Sequence, residues 1–404
     1  MDYKVYIGFT TDIFTLDDVI RGKLNGSSGL GGAVTFTEVT SDVTSISIAR
    51  GRSRETDEFN AGTCNFVLRN ESGNYDPLND LSPYYPGIEP LMEMKIEASH
   101  DSLTYYTIFR GTIDNWAIQY PSKKESSVLV QASDSISLLS ATEISIARSA
   151  ELSGTRISAI LDDATVGFPS SLRSIDSGNT TLQAATQSGT TIDVLRNIEQ
   201  SENGALFVDR EGKLVFKQRH NTFPTGSPSI IFSDDGSDFS YMQTELNLND
   251  DLLFNRISVK REGGTTQTKS DATSQGKYRV RQLTRSGLNM ADDTEAESAA
   301  SFLLNRFKDP ETRFAGLNIS IDRLNTSQQS SLAQLDLADI IKVELTPIGE
   351  SSQRSKLLSV NNMVWNISPN SSNVTIGTAD ATNLTFLVLD DSEFGKLDSA
   401  KVAY

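Results

Sequence analysis

The strongest constraint on this chain is a hydrophobic period of two, carried in short runs that turn residues keep interrupting. Residues 43–48 read Val-Thr-Ser-Ile-Ser-Ile. Residues 63–68 put Cys64, Phe66 and Leu68 on one face, and residues 91–98 do the same with Met92, Met94 and Ile96. Residues 105–113, 116–120 and 127–132 continue the pattern. Only an extended backbone brings every second side chain to one surface, so these runs predict strands with one buried face. About seven of them fall in the first 135 residues, the spacing of a β-barrel or sandwich.

The period then changes. Ile157, Ile160 and Leu161 have helical spacing. Residues 191–202 predict a stronger helix, with Thr191 as N-cap, Ile192, Leu195 and Ile198 as the buried stripe, and Gly204 as the stop. Residues 205–216 read as a hairpin around Asp-Arg-Glu-Gly. Residues 140–219 therefore predict a small α+β unit.

From Asp250 the β pattern returns, with strands expected at 254–260, 315–321, 340–345, 357–367 and 373–377. Residues 263–276, rich in Thr and Ser, read as a loop. Residues 292–307 predict an amphipathic helix with Ala299, Phe302, Leu303 and Phe307 on its apolar side, ended by Asp309-Pro310. A chain of 404 residues exceeds one ordinary core and divides into about two to four domains. The expected division is a first β domain over 1–138, an α+β domain over 139–245, a second β domain with one helix over 246–382, and a tail over 383–404. The fold class is thus mainly β with an α+β insert.

Charge and composition narrow the function. Lys and Arg number 36 against 53 Asp and Glu, a net charge of −17. A chain this acidic does not seek nucleic acid or an anionic membrane by electrostatics, though it can face DNA without sticking to it. Cys64 is the sole cysteine, which excludes an intramolecular disulfide and any multi-cysteine metal site. No apolar run reaches the roughly 18–20 residues of a membrane helix. Met1-Asp2-Tyr3-Lys4 lacks the opening of a signal peptide. The expectation is a protein made in a cytoplasm that leaves it only within an assembly.

Motifs of catalysis are absent. Residues 26–32 (Gly-Ser-Ser-Gly-Leu-Gly-Gly) lack both the Lys-Ser/Thr of a phosphate loop and the spacing of a dinucleotide fingerprint, and read as a turn. Cys64 could be a nucleophile only with His100 or His220 as base. Its place beside Phe66 and Leu68 makes it a small core residue, and both histidines read as surface loop residues. Carboxylates would supply a glycosidase pair, but aromatics for a sugar cleft make up only 8%. Asp234-Asp235, Asp250-Asp251 and Asp390-Asp391 match no EF-hand loop and read as turns. Trp116 and Trp365 read as core. No catalytic, metal or cofactor residue is assigned.

The specific segment lies between residues 48 and 113. Arg50-Gly51-Arg52 ends one strand and Ala61-Gly62-Thr63 begins the next. Turns follow at Asn70 to Gly73 and at Tyr75-Asp76-Pro77, and then a strand with Phe109, Gly111 and Ile113. In that order these motifs resemble the N-terminal barrel of tailed-bacteriophage tail hub proteins, also called minor tail proteins, including the N-terminal module of siphophage tail-associated proteins. Residues 335–343 resemble the hub's Leu-x-x-Gly-Asp-x-Val-x-Val strand through Asp339, with Ala338 where glycine is commoner. Residues 358–367, with Trp365, resemble the following strand pair. Phe394-Gly395-Lys396-Leu397-Asp398 resembles the Phe-Gly-x-Leu-Asp ending.

The resemblance implies a baseplate-hub-like architecture, in which two tube-like β-barrels flank the α+β domain. It implies a homotrimer whose six barrels form a pseudo-six-fold ring at the virion tail tip, joining a six-fold tube to a three-fold tip and lining the DNA-ejection channel. The expected partners are the distal tail protein or tail tube protein, the tape-measure protein, and tail fibre or spike proteins. DNA passes only transiently, and an acidic wall suits that passage. Two other readings stay open. One is a receptor- or carbohydrate-binding tail protein; the other is a lytic enzyme, against which the chain ends just after the second β domain.

Overall fold

The computed structural model describes residues 1–11, 33–122, 125–221, 227–236, 238–310, 312–350 and 352–381. The glycine-rich turn at 26–32, the Asp390-Asp391 pair, the tail from 383 and the motif holding Gly395 lie outside them.

The first half supplies β1 (Asp2–Thr11), β2 (Ala33–Glu38), β3 (Val43–Gly51), β4 (Asn60–Arg69), β5 (Glu93–Ser99), β6 (Tyr105–Gln119) and β7 (Ser127–Ser133). The middle supplies α1 (Ser135–Ala141), β8 (Glu143–Arg148), β9 (Glu151–Leu152), α2 (Ser153–Leu161), β10 (Arg173–Ile175), β11 (Thr181–Leu182), β12 (Ala185–Thr190), α3 (Thr191–Glu202), β13 (Ala205–Val208) and β14 (Leu214–Lys217). Then come β15 (Ile230–Ser233), β16 (Gln243–Leu248), β17 (Arg256–Arg261), β18 (Gln267–Ser270), α4 (Ala272–Tyr278), β19 (Gln282–Leu288) and α5 (Asp293–Phe307). The last elements are β20 (Thr312–Ser320), α6 (Thr326–Gln334), β21 (Ile340–Leu345), β22 (Arg354–Ser368) and β23 (Ser371–Asp380).

The two β regions form one thirteen-stranded sheet. Its path is β16-β20-β23-β22-β3-β4-β7-β6-β5-β1-β2, with β21 on β22 and β15 on β21. Strand β22 makes the join. Its first part, Arg354 to Ser359, pairs with β21, and its second part, Asn362 to Ile367, pairs antiparallel with β3. The register against β23 shifts between Val360 and Asn362, at this change of partner. Trp365 stands opposite Ile48, and Ile367 opposite Ile46, all buried. Full burial of such side chains contributes about 1.5–3 kcal/mol each, so the seam is an integral part of the core rather than a soft contact. One apolar core accordingly runs from Val5 through Phe66 and Trp365 to Ile376. Two barrels were the expectation; the pairing joins the two β halves edge to edge through β22, a join that a period of two does not record, since it says that a strand has a buried face but not which strand lies beside it.

The middle unit has its own core of Ile157, Leu195, Ile198, Leu206 and Phe216, among others. Helix α3 covers the predicted span. Its N-cap, though, is Thr190, whose side chain accepts from the Asp193 amide, while Thr191 donates to the Thr142 carbonyl. The left-handed residue that ends it is Asn203 (φ 55°), one position before the predicted glycine. The hairpin β13–β14 turns on Gly212 at φ 84°, a conformation glycine adopts without a Cβ penalty.

Residues 252–307 form a further unit that the periodicity did not separate. Here β18-β17-β19 make a three-stranded sheet, and α5 packs against it over Ile257, Val259, Met290, Ala299, Leu303 and Phe307. The helix expected on the second β domain thus belongs to this small sheet. The segment 263–276, expected as loop, contains β18 and the start of α4, whose N-cap Asp271 accepts from the Ser274 amide. β18 reads Gln-Thr-Lys-Ser, so it carries no apolar alternation to reveal it. β15 and β16, placed by sequence with the α+β domain, hydrogen-bond into the large sheet.

Candidate functional site: a charged junction between the sheet and the inserted units

Arg50, Gly51, Arg52, Ala61 and Gly62, among the residues singled out by sequence, lie together where β3 ends and β4 begins. Arg50 lies on the buried face of β3, with its side chain 4% exposed. Its Nη2 donates to the Val208 carbonyl of the middle unit at 3.1 Å and to Asp336 Oδ1 at 2.5 Å. The other oxygen of Asp336 accepts from the Arg210 amide in the hairpin turn at 2.8 Å. One ion pair therefore fastens the middle unit to both halves of the sheet.

Gly51 follows at φ 113°, and a Cβ there would collide with the Asn361 carbonyl at the point where β22 changes partner. Arg52 donates through Nε to Asn361 Oδ1 at 2.8 Å, and its guanidinium lies 4.4 Å from the Phe59 ring centroid. Burial pulls its pKa down to about 10. Across the next strand, Ala61 packs against the middle core, and the Gly62 amide donates to Asp134 Oδ2 at 2.6 Å. A Cβ at Gly62 would sit 2.8 Å from that oxygen. Asp134 also caps α1, and its burial raises its pKa to about 6 against the pull of both amides. Thr63 is exposed and only pairs within the sheet, opposite Ser133.

Around this line lies a denser set of charges. Arg196 bonds Glu199 at 2.8 Å and reaches the Phe59 carbonyl. Burial raises the Glu199 pKa, and Arg196 opposes that rise. Arg306 of α5 pairs with Glu55, both almost fully buried. The small unit meets the middle unit at a bridge between buried Leu182 and Met290 and through a set of polar contacts. The Gln183 amide donates to the Asn289 carbonyl at 2.8 Å, the Ala291 amide to the Thr181 carbonyl at 2.9 Å, and Asn197 to the Gly287 carbonyl at 2.8 Å. A cavity of about 290 Å³ opens between Arg52, Glu58, Asn203, Arg285 and Phe302.

The other motif residues hold the sheet's turns. Asn70 is buried and accepts from the Tyr75 amide at 2.9 Å, with Gly73 at φ 69° between them. Tyr75 reaches Asp42 at 2.6 Å, and its ring stacks on Tyr84, which stacks on Phe9. Asp76 caps Leu78 and receives the Tyr120 hydroxyl at 2.8 Å, while Pro77 is exposed. Gly111 lies so close to the Ser133 carbonyl that no Cβ fits. Trp365 is core, and Trp116, half-buried, donates to the Glu89 carbonyl. Asp339 accepts from the Asp336 amide at 2.8 Å, and burial raises its pKa. Ala338 beside it has φ 63°, which explains physically why glycine suits that position. Sequence reasoning did not single out Asp336, although it stands inside the quoted motif. Its signal is a carboxylate between Leu335 and Leu337, two positions that are buried.

This arrangement fastens units together. Cys64 is fully buried, and burial pushes its thiol pKa far up, away from the reactive thiolate. His100 lies in a turn beside Asp101, with Nε2 3.6 Å from the carboxylate. Asp234 is taken by the Thr346 amide and Gln353, and Asp250 by Arg281. Among the described residues, no group of three His, Cys, Asp or Glu is placed to hold a metal ion, and no helix is long and apolar enough to cross a membrane.

No protein-family model and no curated protein matches the chain. Solved structures do. The 43 kDa tail protein of prophage MuSo2 from Shewanella oneidensis superimposes with a TM-score of 0.59 at 12% identity, covering 94% of this chain and 99% of that one. A tail protein from Neisseria meningitidis MC58 gives 0.58 at 9% identity, covering 94% and 97%. The prophage tail protein gp18 from Listeria monocytogenes EGD-e gives 0.50 at 10% identity, covering 93% and 95%. Over nearly its whole length, the chain has the fold of phage tail proteins.

Proposed function

We propose that this chain is a structural virion protein that works by joining subunits and carries out no catalysis. Three copies form the hub at the distal end of a phage tail, adapt the six-fold tube to a three-fold tip and line the ejection channel. The observation that carries this reading is the end-to-end agreement of fold with tail proteins of the same length. The form of the sheet supports it. Among the described residues, the path ends at β16 on one side and β2 on the other, each paired along one edge only. An unpaired edge offers backbone donors and acceptors to a neighbouring strand. On and beside β16 stand the exposed Met242, Leu246 and Leu248, at 44%, 41% and 70% exposure, which suits an edge covered in an assembly. The net charge of −17 suits a channel wall that DNA must not adhere to.

In this reading the family-motif residues, from Arg50 and Gly62 to Asp339 and Trp365, hold the subunit rigid. Gly395, outside the described residues, belongs to the tail motif. The neighbours would be the distal tail or tail tube protein above, the tape-measure protein within, and fibre or spike proteins below. The test is negative-stain electron microscopy of the concentrated protein, with the mass in solution measured by light scattering. Three-fold rings with an opening wide enough for duplex DNA are expected. A strictly monomeric protein that binds glycans on an array and forms no ring with its tail neighbours would overturn the reading in favour of a receptor-binding protein.

A further inference from the structure

Two guanidinium groups facing the junction cavity are left without a carboxylate. Arg306 is paired with Glu55, and Arg196 with Glu199. Glu58 is met by Gln200 and Arg196, and Asp57 receives the Arg54 amide. Among the described residues, Arg52 and Arg285 have no acid within 4 Å, yet both line the same cavity of about 290 Å³. Arg285 Nη1 donates to Asn203 Oδ1 at 2.7 Å, while Asn203 Nδ2 is buried with no hydrogen-bond partner. Burial lowers the pKa of both arginines against the more distant pull of Glu199, and the charge of Arg52 also lowers that of Arg285, which Glu58 opposes. Two desolvated cations that repel each other beside an unsatisfied amide donor suit a shared anion.

We propose that this cavity binds a small oxyanion, a phosphate or a carboxylate, between Arg52, Arg285 and Asn203. The three ligands come from three bodies. Arg52 follows β3 of the large sheet, Arg285 lies on β19 of the small unit, and Asn203 ends α3 of the middle unit. The large sheet and the middle unit already share apolar packing through Phe207 and Phe59, so the anion acts chiefly on the small unit, whose contacts with the middle unit are largely polar and leave room for relative motion.

The test is thermal unfolding of the full chain in sodium phosphate, sodium malonate or sodium chloride at matched ionic strength, with isothermal titration of phosphate. At ten times its dissociation constant, a ligand of the folded state raises the folded-to-unfolded ratio about elevenfold. Phosphate or malonate should raise the midpoint in wild type, and the salt whose shift falls more in the variants names the source of the oxyanion. The shift should shrink in Arg285→Gln, a partly exposed position whose loss should leave the fold intact, and in Asn203→Gly, which keeps the left-handed turn. Phosphate and malonate also stabilise proteins by exclusion from their surfaces, an effect that both variants retain in full. Equal shifts in wild type and both variants, or no saturable heat, would overturn the proposal.

Discussion

Removing the Asp336 carboxylate is the sharpest test of how the units are joined. In Asp336→Ala the Arg50 guanidinium, 4% exposed, keeps only the Val208 carbonyl, and the amides of Arg210 and Leu337 lose acceptors at 2.8 Å each. Deleting one partner of a buried pair costs about 3–5 kcal/mol, because the remaining charge stays out of water without compensation. The two part-buried amides move the cost toward the upper end of that range, since a buried donor left unsatisfied costs roughly 1 kcal/mol or more. Equilibrium urea unfolding followed by tryptophan fluorescence should therefore show a loss of about 4–5 kcal/mol. Trp116 and Trp365 both lie in the large sheet and report on it. Hydrogen exchange should accelerate first at β13–β14, the hairpin that this carboxylate holds to the sheet. The double variant Arg50→Met, Asp336→Leu should recover most of the loss, because apolar groups of similar size need no partner. A single variant within about 1 kcal/mol of wild type would refute the reasoning. That value is typical of a solvated surface pair, so the junction would have to be wet.

Three further predictions follow from local geometry. Ala338→Gly should stabilise the protein by about 0.5–1 kcal/mol in the same assay, since relief of the left-handed backbone at φ 63° outweighs the added freedom of the unfolded glycine. Gly111→Ala should destabilise by about 1–3 kcal/mol, because its Cβ meets the Ser133 carbonyl in the partner strand and neither backbone can yield cheaply. The third concerns pH. The pKa of Asp134 is about 6 when folded against 3.8 in the reference state, so between those values the folded protein holds a proton that the unfolded chain has lost. Its contribution to stability is present below pH 4, falls as pH rises to about 6 and is flat above. Asp134→Asn should remove that slope, which shows as a pH-dependent difference between the two unfolding midpoints. Parallel midpoints from pH 4 to 7 would assign the titration elsewhere.

How much of this was legible follows from how far each signal travels along the chain. Strand Ile340–Leu345 and helix Thr191–Glu202 coincide with their predicted spans, because alternation and helical spacing are properties of a few neighbouring residues. The hairpin at 205–217 was legible through Gly212, and the buried state of Cys64 through Phe66 and Leu68 on the same strand face. The helix caps slipped by one residue, since Thr190 and Thr191 offer the same hydroxyl and the choice falls to Thr142, 49 residues away. β18 escaped notice because it carries four polar residues beneath a helix that arrives later in the chain.

The sequence by itself determined the extended and helical segments that carry an apolar period, and the faces those segments bury. Those choices depend on backbone sterics and on side chains within a few residues of each other. Its motif order also marked the positions around Arg50, Gly62 and Asp339. Only the tertiary structure decided that β22 leaves β21 for β3, that Arg50 meets Asp336 across 286 residues, and that residues 252–307 stand as a unit of their own. Strand partners and buried ion pairs are set by the free energy of closing long loops around a shared core, and no local period records that choice.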